Sequence, residues 1–137
     1  MKSIIKDWCL FLESVGHNED DVKHYMCNII DSPEFKAMAG EVVDVKSEMY
    51  VKRASGIHGE GVFAIRDIKK GENIGIVLGF EDNKKYRSYL GRFTNHSSIK
   101  NTKFEKLNSG EAVAICSRDI ETGEEILVDY GDHWGMF

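Results

Sequence analysis

From Val22 to Ile30 the apolar residues Val22, Tyr25, Met26, Ile29 and Ile30 recur at the spacing of one buried helix face. Asn18 stands where it can cap that helix. An earlier stretch places Ile4, Ile5, Trp8, Cys9, Leu12 and Val15 on a second such face, which ends near Gly16. Ser32-Pro33-Glu34 opens a third short helix that Gly40 can close. Three small helices are therefore predicted over residues 1–40. Their apolar faces must pack on the rest of the chain or on a partner, and a second copy of the chain would serve as one.

After Gly40 the pattern changes to short apolar runs separated by glycine turns. Glu41–Val45, Met49–Arg53, Gly61–Arg66, Ile74–Leu78, Ala112–Cys116 and Ile126–Asp129 read as strands. In this half only Asn83–Leu90, with Tyr86, Tyr89 and Leu90 near one face, reads as helix. The predicted class is α+β, a strand-rich body behind a helical N-terminal region. Within the body, the nine residues Arg66 to Ile74 recur as Arg118 to Ile126 with six identities. Either two similar glycine turns arose independently, or the body contains two related β units.

Composition narrows the class further. At 137 residues the chain supports one ordinary core. Its 42% hydrophobic content and single proline exclude collagen-like and disordered chains. No apolar run approaches the roughly 20 residues of a membrane-spanning helix, and the N-terminus lacks a signal-peptide pattern. The expectation is a cytoplasmic or nuclear protein without membrane contact. A net charge of −5 argues against direct nucleic-acid binding and suits a basic protein or peptide partner. Cys9, Cys27 and Cys116 are too scattered for a disulfide framework or a cysteine-rich zinc site, so no metal is expected.

Three segments carry candidate chemistry. His58-Gly59-Glu60-Gly61 precedes a strand, and its glycines would let backbone groups approach a ligand closely. Arg92-Phe93-Thr94-Asn95-His96-Ser97 offers an amide, an imidazole and a hydroxyl in succession. Gly123-Glu124-Glu125-Ile126-Leu127-Val128-Asp129-Tyr130 places a phenol at a strand end. Taken singly, each also reads as an ordinary turn, polar corner or core tyrosine.

Together and in this order, the segments resemble the SET domain of protein lysine methyltransferases. The matching residues are Gly59-Glu60-Gly61, then Arg92-Phe93 with Asn95-His96-Ser97 and Asn101, then Gly123-Glu124-Glu125-Ile126 with Asp129-Tyr130. The resemblance implies a SET fold over residues 46–137, built of small sheets with a pseudoknot, behind a helical extension over residues 1–45. It implies an S-adenosylmethionine-dependent enzyme that methylates lysine in a protein or peptide, histones included.

Carried over by motif position, His58, Gly59, Glu60, Gly61, Arg92, Asn95 and His96 would hold the cofactor, and Tyr130 would stand at the transfer point. Tyr86, Tyr89 and Phe80 would shape the lysine channel. Trp134, in a tail like that of short viral SET proteins lacking zinc, would pack on the adenine. The chain departs from the family at Val77, where a channel tyrosine is expected, and at Ser98 and Lys100, where the family has cysteine and proline. The loss at Val77 leaves a catalytically silent, protein-binding SET-like module as the alternative.

Overall fold

The computed structural model describes residues 40–57 and 59–129, together with the helical positions Pro33 and Ala37. Apart from those two positions, the helices expected over residues 1–40 lie outside the described residues. The elements in chain order are β1 (Glu41–Val43), β2 (Tyr50–Ala54), β3 (Glu60–Ala64), β4 (Asn73–Glu81), β5 (Lys84–Ser88), α1 (Tyr89–Phe93), β6 (Asn95–His96), β7 (Thr102–Lys106), β8 (Ala112–Cys116) and β9 (Leu127–Val128). They form a five-stranded sheet in the order β1-β5-β4-β8-β7 and two small two-stranded sheets, β2-β3 and β6-β9. This is the β-rich architecture expected.

The helix expected over Asn83–Leu90 is instead a strand followed by a single helical turn. Asp82 and Asn83 both adopt positive φ, 51° and 64°, and make a two-residue hairpin that pairs Glu81 with Lys84. Asp and Asn tolerate this conformation better than most residues. Tyr86, Tyr89 and Leu90 do share helical spacing, but pairing of β5 with β4 on one side and β1 on the other outweighs it. Ser88 then caps α1 by accepting a hydrogen bond from the Gly91 amide at 3.1 Å.

The sequence repeat is structural, and it extends well beyond nine residues. The hairpin β2-β3 pairs Tyr50 with Ala64 and Ala54 with Glu60, while β7-β8 pairs Thr102 with Cys116 and Lys106 with Ala112. Corresponding residues thus stand 52 positions apart throughout. The copies join through a reciprocal bridge in which Ile68 and Ile120 exchange backbone hydrogen bonds, both 2.8 Å. Asp67 accepts from the Thr122 amide at 2.9 Å, and Asp119 accepts from the Lys70 amide at 2.8 Å, so each aspartate caps the other copy's turn. Gly71 and Gly123 occupy matching left-handed positions at φ 93° and 92°. Two related β units, rather than independent turns, account for this symmetry.

The core lies where these units meet the large sheet, with Val62, Ile68, Leu78, Leu90, Ile120 and Ile126 almost wholly buried. Tyr50 and Cys116 are buried with them, and burial raises both groups above their ordinary pKa values of 10.0 and 9.0. Their protons are therefore held more tightly folded than unfolded. The stability this represents is present below the unfolded values and declines as pH rises through about 9 and 10 towards the folded ones. Denaturant melts from pH 7 to 11 should show stability falling in that window. A combined Tyr50→Phe, Cys116→Ser variant should flatten the fall; an unchanged alkaline slope would remove both groups as its cause.

Candidate functional site

The three motif segments converge through backbone pairing. β6 runs parallel to β9, with Asn95 opposite Leu127 and His96 opposite Val128. The Ser97 amide donates to the Val128 carbonyl at 2.9 Å, and the Asn101 amide to the Leu127 carbonyl at 3.1 Å. The second and third segments thus lie side by side, the pairing that a pseudoknot requires. The first segment joins through β3, where the Ile126 amide donates to the Val62 carbonyl and the Ala64 amide to the Glu124 carbonyl.

At the junction, Asn95 is buried and its Nδ2 donates to the Glu60 carbonyl at 3.2 Å and to Glu125 Oε2 at 2.8 Å. The Glu125 carboxylate also accepts from the Ser55 hydroxyl at 2.8 Å. The Gly61 backbone passes so close that an added Cβ would meet Glu125 Oε2 and lie 3.0 Å from Asn95 Nδ2. Glycine is needed here because the polar hub fills the space a side chain would take. Gly59, at φ 46°, needs glycine for its backbone conformation.

Gly61→Ala should push the Glu125 carboxylate aside and cost about 2 kcal/mol through its broken hydrogen bonds. For a domain of this size that is on the order of a 10 °C fall in Tm. In a Glu125→Ala background the same substitution should cost much less, because its obstacle is gone. Additive losses in that double-mutant cycle would remove the proposed contact.

His96 is half-buried, and its Nδ1 lies 3.7 Å from Asp129 Oδ1, an ion pair when the imidazole is protonated. The Arg92 guanidinium lies over the Phe93 ring, 4.7 Å from its centroid. Tyr89 meets Phe93 edge to face with centroids 5.3 Å apart. Tyr86 lies across Gly79 in the large sheet, where an added Cβ would run into its ring. Phe80 is 44% exposed near the β4-β5 hairpin and rests against Gly110. That places it three residues, or about 10 Å of strand, beyond Val77. Val77 is fully buried, with its carbonyl against Gly91. His58, Tyr130 and Trp134 lie outside the described residues.

Sequence reasoning gave no role to Glu125, although it stands in the third motif. The repeat holds a signal. Glu72 and Glu124 are counterparts that cap their own turns, accepting from the Lys69 and Glu121 amides at 3.1 and 3.0 Å. That explains the first glutamate of the Gly-Glu-Glu run and leaves the second for the hub. The Cys116 thiol is buried, raised in pKa and directed at the Arg118 carbonyl at 2.8 Å, which leaves it inert.

Residues 77–131 match the family model of the SET domain. N-lysine methyltransferase KMT5A-A of Xenopus laevis is 48% identical over 46 residues, covering 31% of this chain and 14% of that protein. Its Xenopus tropicalis relative, N-lysine methyltransferase KMT5A, matches to the same extent. The chain therefore spans only a small part of the curated relatives it matches. Among solved structures, ctPRC2 in complex with H3K27me3 and H3K27M shares the fold at a TM-score of 0.52 and 20% identity. That likeness covers 64% of this chain and 15% of the other. A humanized mutant of the Chaetomium thermophilum Polycomb Repressive Complex 2 gives 0.50 and 21%, with 64% and 16% covered. The β-rich fold of small sheets and few helices expected from the three motifs is thus found. Among the described residues, no helix is long and apolar enough to cross a membrane.

Proposed function

We propose that the chain is a protein-lysine N-methyltransferase that uses S-adenosylmethionine. One observation carries the reading. Asn95, beside His96 in the second segment, ties the Gly59-Glu60-Gly61 backbone of the first to Glu125 of the third, which also holds Asp129, making one polar junction from the three motif segments. The SET match over residues 77–131 and the lysine-methyltransferase names of the curated relatives support it.

The residues present suit such a cofactor. Glu125 and Asp129 bring carboxylates to the junction, and the backbone at Gly59 has open space where a side chain would stand. A cationic ligand with an amino-acid end is favoured there on charge and shape. When bound, S-adenosylmethionine supplies an electrophilic methyl group. Gly59, Glu60 and Gly61, with His58, would hold its amino-acid end through backbone groups. Asn95 and His96, with Arg92 nearby, would hold the remainder, and Trp134 would cover the adenine.

Methyl transfer to an amine is an in-line displacement, so the lysine must arrive neutral and aligned. Aromatic burial beside a cationic cofactor lowers the pKa of an ammonium from its usual value near 10.4. Tyr130 would orient the amine by hydrogen bonding, while Tyr86, Tyr89 and Phe80 would line its approach.

A basic segment such as a histone tail fits the chain's −5 charge as substrate. Nuclear or cytoplasmic residence, and kinship with short zinc-free SET proteins, belong to the same reading. Val77, buried where a channel hydroxyl is expected, favours a second reading of a silent protein-binding module. Isothermal titration with S-adenosylmethionine separates the two. Saturable one-to-one binding is expected of the enzyme, and its absence would favour the module.

A further inference from the structure

Lys52 is a charged residue on the inner face of β2, and its side chain is only 28% exposed. Its Nζ lies 4.7 Å from the centroid of the Tyr89 ring and 4.7 Å from that of Phe93. The two rings stand at 82° to one another. On a third side the Glu60 carboxylate lies 3.1 Å away. Two aromatic faces and one carboxylate make a cage for a cation, and the chain's own ammonium fills it.

The walls of the cage belong to two candidate cofactor segments. Tyr89 and Phe93 are the first and last residues of α1, four positions apart on one face, and Asn95 follows two residues later. Glu60 is the middle residue of the Gly-Glu-Gly run. Its carbonyl accepts from Asn95 while its carboxylate meets Lys52. The β2-β3 pairing of Glu60 with Ala54 and the Ser55 amide's bond to the Gly59 carbonyl fix one side of this backbone, and the two contacts through Glu60 tie it to Asn95 and to α1 on the other.

We infer that Lys52 is a positioning residue for the cofactor pocket, pinning Glu60 to α1 so that the Gly59-Glu60-Gly61 backbone presents its polar groups in one orientation. The inference rests on the proposed cofactor reading. Lys52 touches neither cofactor nor substrate in this role; it acts through Glu60. An ordinary exposed ion pair would contribute little; here Glu60 is 48% exposed, but the two rings shield the Lys52 ammonium and fix its place.

The test compares Lys52→Met, which fills the space between the rings without charge, with Lys52→Arg, which keeps charge and stacking. Isothermal titration with S-adenosylmethionine should show Kd rising about tenfold in Lys52→Met and staying within about threefold of the parent in Lys52→Arg. Tm should fall by no more than about 3 °C in either variant. Hydrogen exchange of the 59–62 peptide, measured without cofactor, should quicken in Lys52→Met and return towards the parent rate in Lys52→Arg.

Parent-like Kd in Lys52→Met would overturn the role of Lys52 while leaving the cofactor reading intact. A parent protein that does not bind S-adenosylmethionine would overturn the cofactor reading. Exchange would then still decide whether Lys52 pins Glu60, and unchanged rates at 59–62 would overturn that as well.

Discussion

Asn101→Leu is expected to destabilise the fold by about 3 to 6 kcal/mol, much of the 5 to 15 kcal/mol that holds a typical domain together. Asn101 is 1% exposed and uses both ends of its amide. Nδ2 donates to the Glu125 carbonyl at 2.9 Å, while Oδ1 accepts from the Leu127 amide at 2.9 Å and the Thr102 hydroxyl at 3.0 Å. Leucine has a similar shape and no polar atoms, so the loss comes from buried groups left without partners. The affected bonds run to the strand that pairs with Asn95 and His96, so the pocket should loosen with the fold. Asn101→Asp should also destabilise near neutral pH, because its carboxylate would face the Glu125 carbonyl. Urea titration of both variants gives the answer, and a loss below 1 kcal/mol for Asn101→Leu would contradict the assignment.

Tyr130→Phe is expected to cripple transfer while sparing fold and cofactor binding. Tyr130 follows Asp129 in the sequence, and Asp129 lies beside His96 at the junction of the motif segments. The substitution deletes one oxygen and keeps the ring. A hydroxyl that aligns the amine in the transition state is worth about 2 to 4 kcal/mol, or about 30- to 1000-fold in rate. Stability should change by only about 1 kcal/mol, the net worth of one hydrogen bond. A purely structural tyrosine would show the reverse, a lower Tm with nearly normal turnover. Single-turnover methylation beside thermal unfolding distinguishes the two, and activity within threefold of the parent would refute the transfer role.

Much of this organisation was legible because its signals are local. Ala112–Cys116 is a strand with the predicted bounds, since five apolar or small residues between turns leave few other options. The Arg-Asp-Ile repeat offered two related β units as one of two readings, and reciprocal Asp67 and Asp119 caps supply the physical reason for its identities. The motif glycines were read as giving a ligand access to the backbone; at Gly61 the close neighbours are the chain's own Glu125 and Asn95.

What escaped the sequence depends on distant partners. β6 is two residues long, pairs with β9 across some 30 positions and carries no periodicity that could reveal it, whereas β9 lies within the strand expected over Ile126–Asp129. β7 was missed because Thr102, Lys103, Phe104, Glu105 and Lys106 have only one large apolar residue, although Thr102 and Phe104 alternate inward. β5 was hidden by an accidental helical spacing of aromatics. Glu125 and Lys52 look like surface charges in the sequence, and only folding brings Asn95 and Ser55 to the first, and two rings with Glu60 to the second.

The central claim is methyl transfer to lysine, and incubation of the purified chain with methyl-labelled S-adenosylmethionine and a panel of histones and cell lysates tests it most directly. The account predicts label that survives denaturation and is recovered from the protein hydrolysate as methylated lysine, at a rate reduced at least 30-fold by Tyr130→Phe. Saturable binding of a protein partner with no label in lysine would contradict it.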